Sequence, residues 1–524
     1  MRPRLTIAFT ALIVLFVAAR ACFGPEERIA FLLYDDAYYY LGVAHHLAAG
    51  DGSTFDGLHR TNGYHPLWCW MLVPVVSALR DPGAAVRGAG VIWFALAAAV
   101  PFAAWWALRR RLGDEIAAAA GAIFTLQPWI ALALARPNGL ETPMYALAIL
   151  VVLGVADRVL GNAEAPSTGR SLGLGALIGA AVLTRLDAGA LAVAVALSLL
   201  SGGRRWGVRI ALARLAAVVA AATIVAGPSL AWNLARFDSP LPISGRVIAL
   251  EAEREREAVG GALSPLHLLR RTTYAVADIP ASLVRRAALG LPGESFVASA
   301  PRGIGLAATA LVVLAAIAAW WKRCRREGVP GDPVVVLALF ALLHYAAYAV
   351  WLWTPGEDVY RAYYFVPELL AISVLAAWWL GRVRWQLTAV VVMLLGIHLV
   401  VETERYLKLL DAQPGRVADR FVYGWIRANL PGDAVLGARD AGKLAWFSGR
   451  TVVGLDGLNN DATFFDVLRE GREGAYVCDS AIDFVLIDRP YLADYAAQLR
   501  RTATCGFRDV DPTSKYWAVL EVVR

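Results

Sequence analysis

The sequence is short of charge. Only 18% of its 524 residues are Asp, Glu, Lys or Arg, against 58% hydrophobic residues, and the mean hydropathy is +0.53. That balance excludes an ordinary soluble globular protein. Metal-binding and redox motifs are missing as well. The five cysteines, at positions 22, 69, 324, 478 and 505, form no CxxC pair and no metal-ligand spacing. No GxGxxG or GxxxxGK[ST] phosphate loop, HExxH zinc motif or Ser-His-Asp order is present, and there is no internal repeat or low-complexity segment. A contiguous basic face is lacking too. The net charge of +7 comes from short Arg clusters between apolar blocks, so no nucleic-acid partner is expected.

What the chain does have is apolar blocks of membrane-spanning length, recurring from the start to about residue 401. The expected fold class is therefore an α-helical polytopic membrane domain (residues 1–401) with about eleven spans, followed by a soluble domain (402–524). Arg2 and Arg4 hold an uncleaved first span (about 5–22) with its start in the cytoplasm. The piece HPLWCWMLVPVVSAL (65–79) is short and carries Pro66, Pro74, Trp68 and Trp70, which suits a helix lying on the outer surface. With spans at 89–108, 116–134, 143–160, 172–183, 188–201, 210–232, 303–321 and 385–401, and two between the last of these, every dense Arg cluster faces the cytoplasm. Counting 65–79 as a span inverts the clusters. The first loop (34–88), the long loop (233–302) and the soluble domain then lie outside, in the periplasm of a bacterial inner-membrane protein.

Four polar turns come to that outer side. Asp35 and Asp36 open the stretch YDDAYYYLGVAHHLAAGDGSTFDGLHRTNGYHPLW (34–68), which passes through a helix-compatible run (38–49), a Gly turn (50–52) and an Asn62-Gly63 turn. Adjacent acids there have a plain role as helix caps. Amid Tyr34, Tyr38, Tyr39 and Tyr40, desolvation and mutual repulsion also raise one pKa, and a carboxylate so tuned can take a proton from a hydroxyl nucleophile. Glu141 (ARPNGLETP) reads first as an N-terminal helix acid. Arg185 and Asp187 (LTRLDAG) interrupt an apolar hairpin, as a structural pair or as an arginine aimed at a phosphate. Arg361 (GEDVYRAYYF) invites the same two readings, and EAEREREAVG (251–260) reads as a solvated helix face.

The tail alternates short β-type runs (AVLGA, TVVGL, DFVLID, YWAVLEVV) with helical stretches (FFDVLREG, YLADYAAQL), which predicts a small α/β domain. In its Gly-rich stretch DAGKLAWFSGRTVVGLDGLNND the glycines are read as turns between strands and helices, not as a phosphate loop. Cys478 and Cys505 share the tail, either as a disulfide or as two buried thiols.

The 34–68 loop resembles the first periplasmic loop of GT-C glycosyltransferases, closest to arabinofuranosyltransferase-like membrane proteins. GLETPMYAL is similar to their second acidic turn, LTRLDAG to their Thr-Arg turn, RFDSPLPIS to their F-x-S-x-L-P-N step, and YRAYYFVPELL to their Arg-Tyr segment. Ile243 departs from the usual Asn, and Leu186-Asp187 from the usual Pro-acid pair. The resemblance implies transfer of a sugar, by inverting displacement, from a polyprenyl-phosphate donor to a glycan, lipid or protein acceptor. Asp35 would be the base with Asp36 in support, Glu141 a second acid, and Arg185 and Arg361 the phosphate holders. Tyr38, Tyr39, Asn62, Tyr64, His65, Asp187 and Asp440 would contact substrate. No cofactor is indicated, although some GT-C enzymes need a divalent metal. The competing readings are an O-antigen-ligase-like enzyme and a lipid-linked sugar flippase. A flippase would place charges near the bilayer midplane in paired halves, and here the polar residues gather at one face.

Overall fold

Apolar runs become helices wherever caps and glycines bracket them. The computed structural model describes residues 3–127, 130, 134–135, 137–258, 331–351, 364–383, 385–412, 414–511, 514 and 516–524. The first part is helical: α1 (Pro3–Cys22), α2 (Asp35–Ala49), α3 (Pro66–Ala78), α4 (Pro82–Leu112), α5 (Asp114–Leu126), α6 (Thr142–Leu160), α7 (Thr168–Thr184), α8 (Gly189–Ser201), α9 (Val208–Phe237), α10 (Ile243–Ala258), α11 (Pro333–Trp351), α12 (Val366–Val383) and α13 (Trp385–Ala412). Helix α4 begins on Asp81, whose carboxylate accepts the Ala84 N–H at 2.7 Å, with Pro82 in the first turn. It ends at Gly113, where a φ of 82° lets the chain turn straight into α5.

Among the described residues, six segments are long and apolar enough to cross a membrane: Pro3–Cys22, Pro82–Leu112, Thr142–Leu160, Leu186–Trp206, Val208–Phe237 and Trp385–Asp411. Further helices stand at the other expected span positions, except that the segment 303–321 lies outside the described residues, as does Arg361. Helix α3 has 13 residues, so it is about 20 Å long and too short for a hydrocarbon core of about 30 Å. It packs on α2 and α7 instead. The Arg cluster ending α4 meets the end of α6, with Arg111 Nε 2.6 Å from Asp157 Oδ1 and Arg158 donating to the Trp106 carbonyl at 2.9 Å. The polar turns described below sit at the opposite end of the same two helices.

Helices α7 and α9 approach closely because Gly175 and Gly179 present no side chains. A Cβ on Gly175 would lie 2.2 Å from the Val218 carbonyl oxygen, and one on Gly179 would lie 2.8 Å from that of Ala222. Small residues four apart are the usual means of bringing membrane helices together.

After α13 come α14 (Pro414–Asn429), β1 (Val435–Ala438), α15 (Ala441–Ser448), β2 (Thr451–Gly454), α16 (Ala462–Glu470), α17 (Glu473–Asp479), β3 (Phe484–Asp488), α18 (Leu492–Arg500), β4 (Gly506–Asp509) and β5 (Trp517–Val523). The strands form one sheet in the order β2-β1-β3-β5-β4. Strand β1 pairs in parallel with β2 and β3, and β5 pairs antiparallel with β3 and β4. Cys478 and Cys505 are joined as a disulfide. Two tail elements differ from expectation. Ala441–Ser448, which the sequence reading does not name as a helical run, forms α15, and the edge strand β4, with sequence GFRD, is too polar and short to announce itself. Helix α13 runs unbroken across the division placed at 401/402, and Arg20–Glu404 (2.9 Å) and Arg28–Asp411 (2.5 Å) tie its end to the first segment.

Gly175→Leu should force α7 and α9 apart. A loss of at least about 1–3 kcal/mol is expected from overpacking, read as a lower thermal midpoint of the detergent-solubilised protein. Gly173→Leu, with nothing within 4 Å of the point a Cβ would occupy, should leave the midpoint unchanged.

Candidate active site

The site begins with a turn held by hydrogen bonds from two helices. Residues 137–141 cross the mouth of the helix bundle, and two indoles clamp them: Trp68 Nε1 donates to the Gly139 carbonyl at 2.9 Å and Trp93 Nε1 to the Leu140 carbonyl at 2.8 Å. Asn138 accepts the Leu140 N–H at 3.1 Å and donates to the Thr142 hydroxyl at 3.0 Å. Gly139, at a φ of 69°, lies against Ala37 of α2, where a Cβ would approach the Ala37 Cβ to 2.6 Å. The outcome is to aim Glu141, only 2% exposed, at groups from three other parts of the chain.

Tyr40 of α2 donates to Glu141 Oε2 at 3.0 Å, and Arg185 Nη1 stands 2.8 Å from Glu141 Oε1. His65 Nε2 is 3.6 Å from the same oxygen. Arg185 turns its other edge to Asp187, with Nε 3.1 Å from Oδ2. Tyr348 accepts from Arg185 Nη2 at 3.0 Å and donates to Asp187 Oδ2 at 2.8 Å. His344 then bridges Asp187 (3.2 Å) to Glu368 (2.8 Å). The Arg185 guanidinium also lies over the rings of Tyr145 and Tyr364, 5.3 and 5.6 Å from their centroids. A charge this buried must be partnered, and here one chain of contacts runs from the first loop to α12. The Arg185–Asp187 pairing, one of the two readings of that turn, is present, and Glu141 shares the same guanidinium.

Beside this network opens a cleft of about 520 Å³. One wall is apolar, from Leu183, Leu186, Pro228 and Trp232. The other is polar, from Asp51, Ser53, Arg60, Asn62, Tyr64 and His65 of the first loop. Asn62 accepts the Ile243 N–H at 2.9 Å, while its buried Nδ2 has no partner among the described residues.

The remaining expected residues turn elsewhere. Asp35 Oδ2 accepts the Gly442 N–H at 2.9 Å and Oδ1 the Lys443 N–H at 2.8 Å. Tyr39 donates to the Asp456 carboxylate, and its oxygen accepts the Ala441 N–H at 3.1 Å. Asp440 is exposed at the start of α15. Tyr38 packs against Phe447, and its hydroxyl lies 3.2 Å from the carbonyls of Ile29 and Ala30. Asp36 is half-buried beside Asp35. The structure thus joins Glu141, Arg185, Asp187 and His65 in one network and puts Asn62 and Tyr64 in the adjoining cleft. It sends Asp35, Tyr39 and Asp440 to the junction with the tail. Burial pushes the Asp35 carboxyl up to about 6, against the opposing pull of Lys443 and its backbone amide. Burial likewise raises Asp456 well above the usual carboxylate range.

The sequence reading does not single out His344, Tyr348, Glu368, Arg60, Asp456 or Lys443. For His344 and Glu368 a signal exists: each is an ionisable residue inside an otherwise apolar helix, PVVVLALFALLHYAAYAVW and VPELLAISVLAAWWLGRV. Among the described residues, no three His, Cys, Asp or Glu side chains are grouped to hold a metal ion.

Three comparisons bear on this architecture. The family model described as "Domain of unknown function (DUF8728)" matches residues 409–520. No curated protein matches the chain. Among solved structures, ArnT from Cupriavidus metallidurans in the apo state superposes with a TM-score of 0.54 at 14% identity, over 98% of this chain and 97% of that one. The oligosaccharyltransferase AglB from Archaeoglobus fulgidus, in complex with an inhibitory peptide and a dolichol-phosphate, superposes with a TM-score of 0.53 at 12% identity, over 98% and 74%. An Archaeoglobus fulgidus oligosaccharyltransferase tethered with an acceptor peptide gives 0.52 at 12%, over 98% and 74%. The chain shares the fold of these proteins, a largely helical body with a small sheet domain following it.

Glu141→Ala should leave the buried Arg185 short of a partner. The expected cost is about 3–5 kcal/mol, measured as a fall in the unfolding midpoint. Glu141→Gln, which keeps the shape and one acceptor oxygen, should cost clearly less.

Proposed function

We propose that this protein is an integral membrane glycosyltransferase that moves a sugar from a polyprenyl-phosphate carrier to an acceptor hydroxyl. The observation that carries the reading is the cleft. It has a lipid-compatible wall from α7 and α9 and a polar wall from the first loop, and it lies against the Glu141–Arg185 network. A long prenyl chain suits the apolar wall, and a phosphosugar head group needs donors, which Arg60 and the unpartnered Asn62 amide supply. The shared fold supports the reading, since AglB has been solved with a dolichol-phosphate and a peptide.

In this reading Asp35 is the base. The acceptor O–H proton passes to its carboxylate as the acceptor oxygen bonds to the anomeric carbon. The bond from that carbon to the phosphate oxygen breaks, and its electron pair leaves with the lipid phosphate. Because phosphate departs readily, no glycosidase-type acid partner is needed; positive charge at the departing oxygen is. A carboxylate offers about four acceptor positions, so the two amide bonds to Asp35 leave room for a hydroxyl. Asp35 and Tyr40 stand on the same helix α2, so the base and the Glu141 network are carried by one element. Arg185 already serves two carboxylates, so the phosphate takes a second cation, Arg60 of the cleft or Arg361. Asp36 supports the base. The donor sugar, arabinofuranosyl or another, and the acceptor are for assay to identify.

The test is transfer from a panel of radiolabelled polyprenyl-phosphate sugars by purified protein. Asp35→Asn should lower turnover by about 10²- to 10⁴-fold, and wild-type turnover in that variant would remove Asp35 from the base role. A base must be ionised, so the rate should fall as pH drops through about 6, rather than near the ordinary carboxylate value of about 4. Arg60→Gln should raise KM for the donor with little change in kcat.

A further inference from the structure

The tail reaches into the catalytic reading through one carboxylate. Asp35 closes the first turn of α15 with both oxygens, 2.9 Å from the Gly442 nitrogen and 2.8 Å from that of Lys443. Such a turn, with its unsatisfied N–H groups, is an anion site by construction, and its occupant is an acid from the membrane domain. Gly442 is there because nothing larger fits. A Cβ would lie 2.3 Å from the Asp35 carbonyl oxygen and 2.9 Å from Oδ2. The contact is not isolated. Tyr39 reaches the carboxyl ends of β1 and β2 through Arg439, Ala441 and Asp456, the edge at which open α/β sheets take their ligands. Tyr38 and Tyr423 sandwich Phe447, with ring centroids 5.5 and 5.9 Å away, and Trp446 donates to the Pro82 carbonyl at 3.2 Å.

The charges around Asp35 come from both sides of this junction. Asp36 on α2 and Asp440 from the tail are like charges that oppose its ionisation, and Lys443 is the opposing cation; Asp456, beside them, is itself pushed well above the usual carboxylate range by burial. Resting on the reading of Asp35 as base, we propose that the tail domain forms a working wall of the active site, with Lys443 and the first amides of α15 as positioning groups that keep the Asp35 carboxylate in place and available to a proton. The base is then competent only while the tail is docked.

A thermal-melting cycle on the full-length protein tests this without needing turnover. Lys443 and Asp35 attract each other only when Asp35 is ionised. The midpoint gap between wild type and Lys443→Met should therefore be wider at pH 8 than at pH 5, and in an Asp35→Asn background the widening should vanish. A gap equal at the two pH values, or a widening that persists with Asn at position 35, overturns the proposal. Where transfer is measured, Lys443→Met should move the acid limb of the rate profile upward, by up to about one pH unit, and Lys443→Arg should return it. An unmoved limb in Lys443→Met also overturns the proposal. Failure of wild-type protein to use any polyprenyl-phosphate donor defeats the functional reading, and the melting cycle still decides whether the tail sets Asp35.

Discussion

A buried charge has to find partners, and the membrane end of this molecule is built around that requirement. Arg185, 4% exposed, and Glu141, 2% exposed, stand 2.8 Å apart in a setting where either alone would be costly. Satisfying them draws in Tyr40 from the first loop, Asp187 from the hairpin, Tyr348 and His344 from α11, and Glu368 from α12. These groups are far apart in the chain, so their agreement on one network fixes how the helices meet at that end. The indole clamps of Trp68 and Trp93 on the Gly139 and Leu140 carbonyls hold the turn that carries Glu141. Rigidity of this kind suits a site that must keep its charges fixed while a substrate changes its own.

The same logic repeats at the tail junction with weaker burial. There an acid is satisfied by helix amides rather than by a guanidinium, and Lys443 supplies the nearby cation. The first loop thus faces two ways. One end of α2 binds the tail, its middle reaches the Glu141 network, and the segment that follows it lines the cleft. Loops bound on a rigid scaffold are common carriers of function, and this one touches every part of the proposed site.

Much of this was legible in the sequence because the signals are local. Apolar length announces helices, and Arg clusters tell one end of the bundle from the other. Pro66 and the shortness of its apolar run mark α3 as too small to span. The β-type runs AVLGA, TVVGL, DFVLID and YWAVLEVV all became strands. The illegible parts are those decided by tertiary contact. Helix α15 hides in a Gly-containing stretch because Gly442 is selected for closeness to Asp35, not for helix propensity. Strand β4 gains its place from pairing with β5. Nothing near Asp187 in the chain points to His344, which meets it across 157 positions. The aspartate pair was conspicuous, but its attachment to the tail could not be read from either segment alone.

The claim at the centre of this account is that a lipid phosphate lies in the cleft between the first loop and helices α7 and α9. The most direct measurement is photo-crosslinking with a polyprenyl-phosphate analogue carrying its reactive group next to the phosphate, followed by peptide mapping. Labelling within residues 60–70, 182–186 and 228–233, competed away by unlabelled polyprenyl phosphate, is the predicted result. Competable labelling confined to the opposite end of the bundle, around Arg109–Arg111 and Arg158, would contradict it.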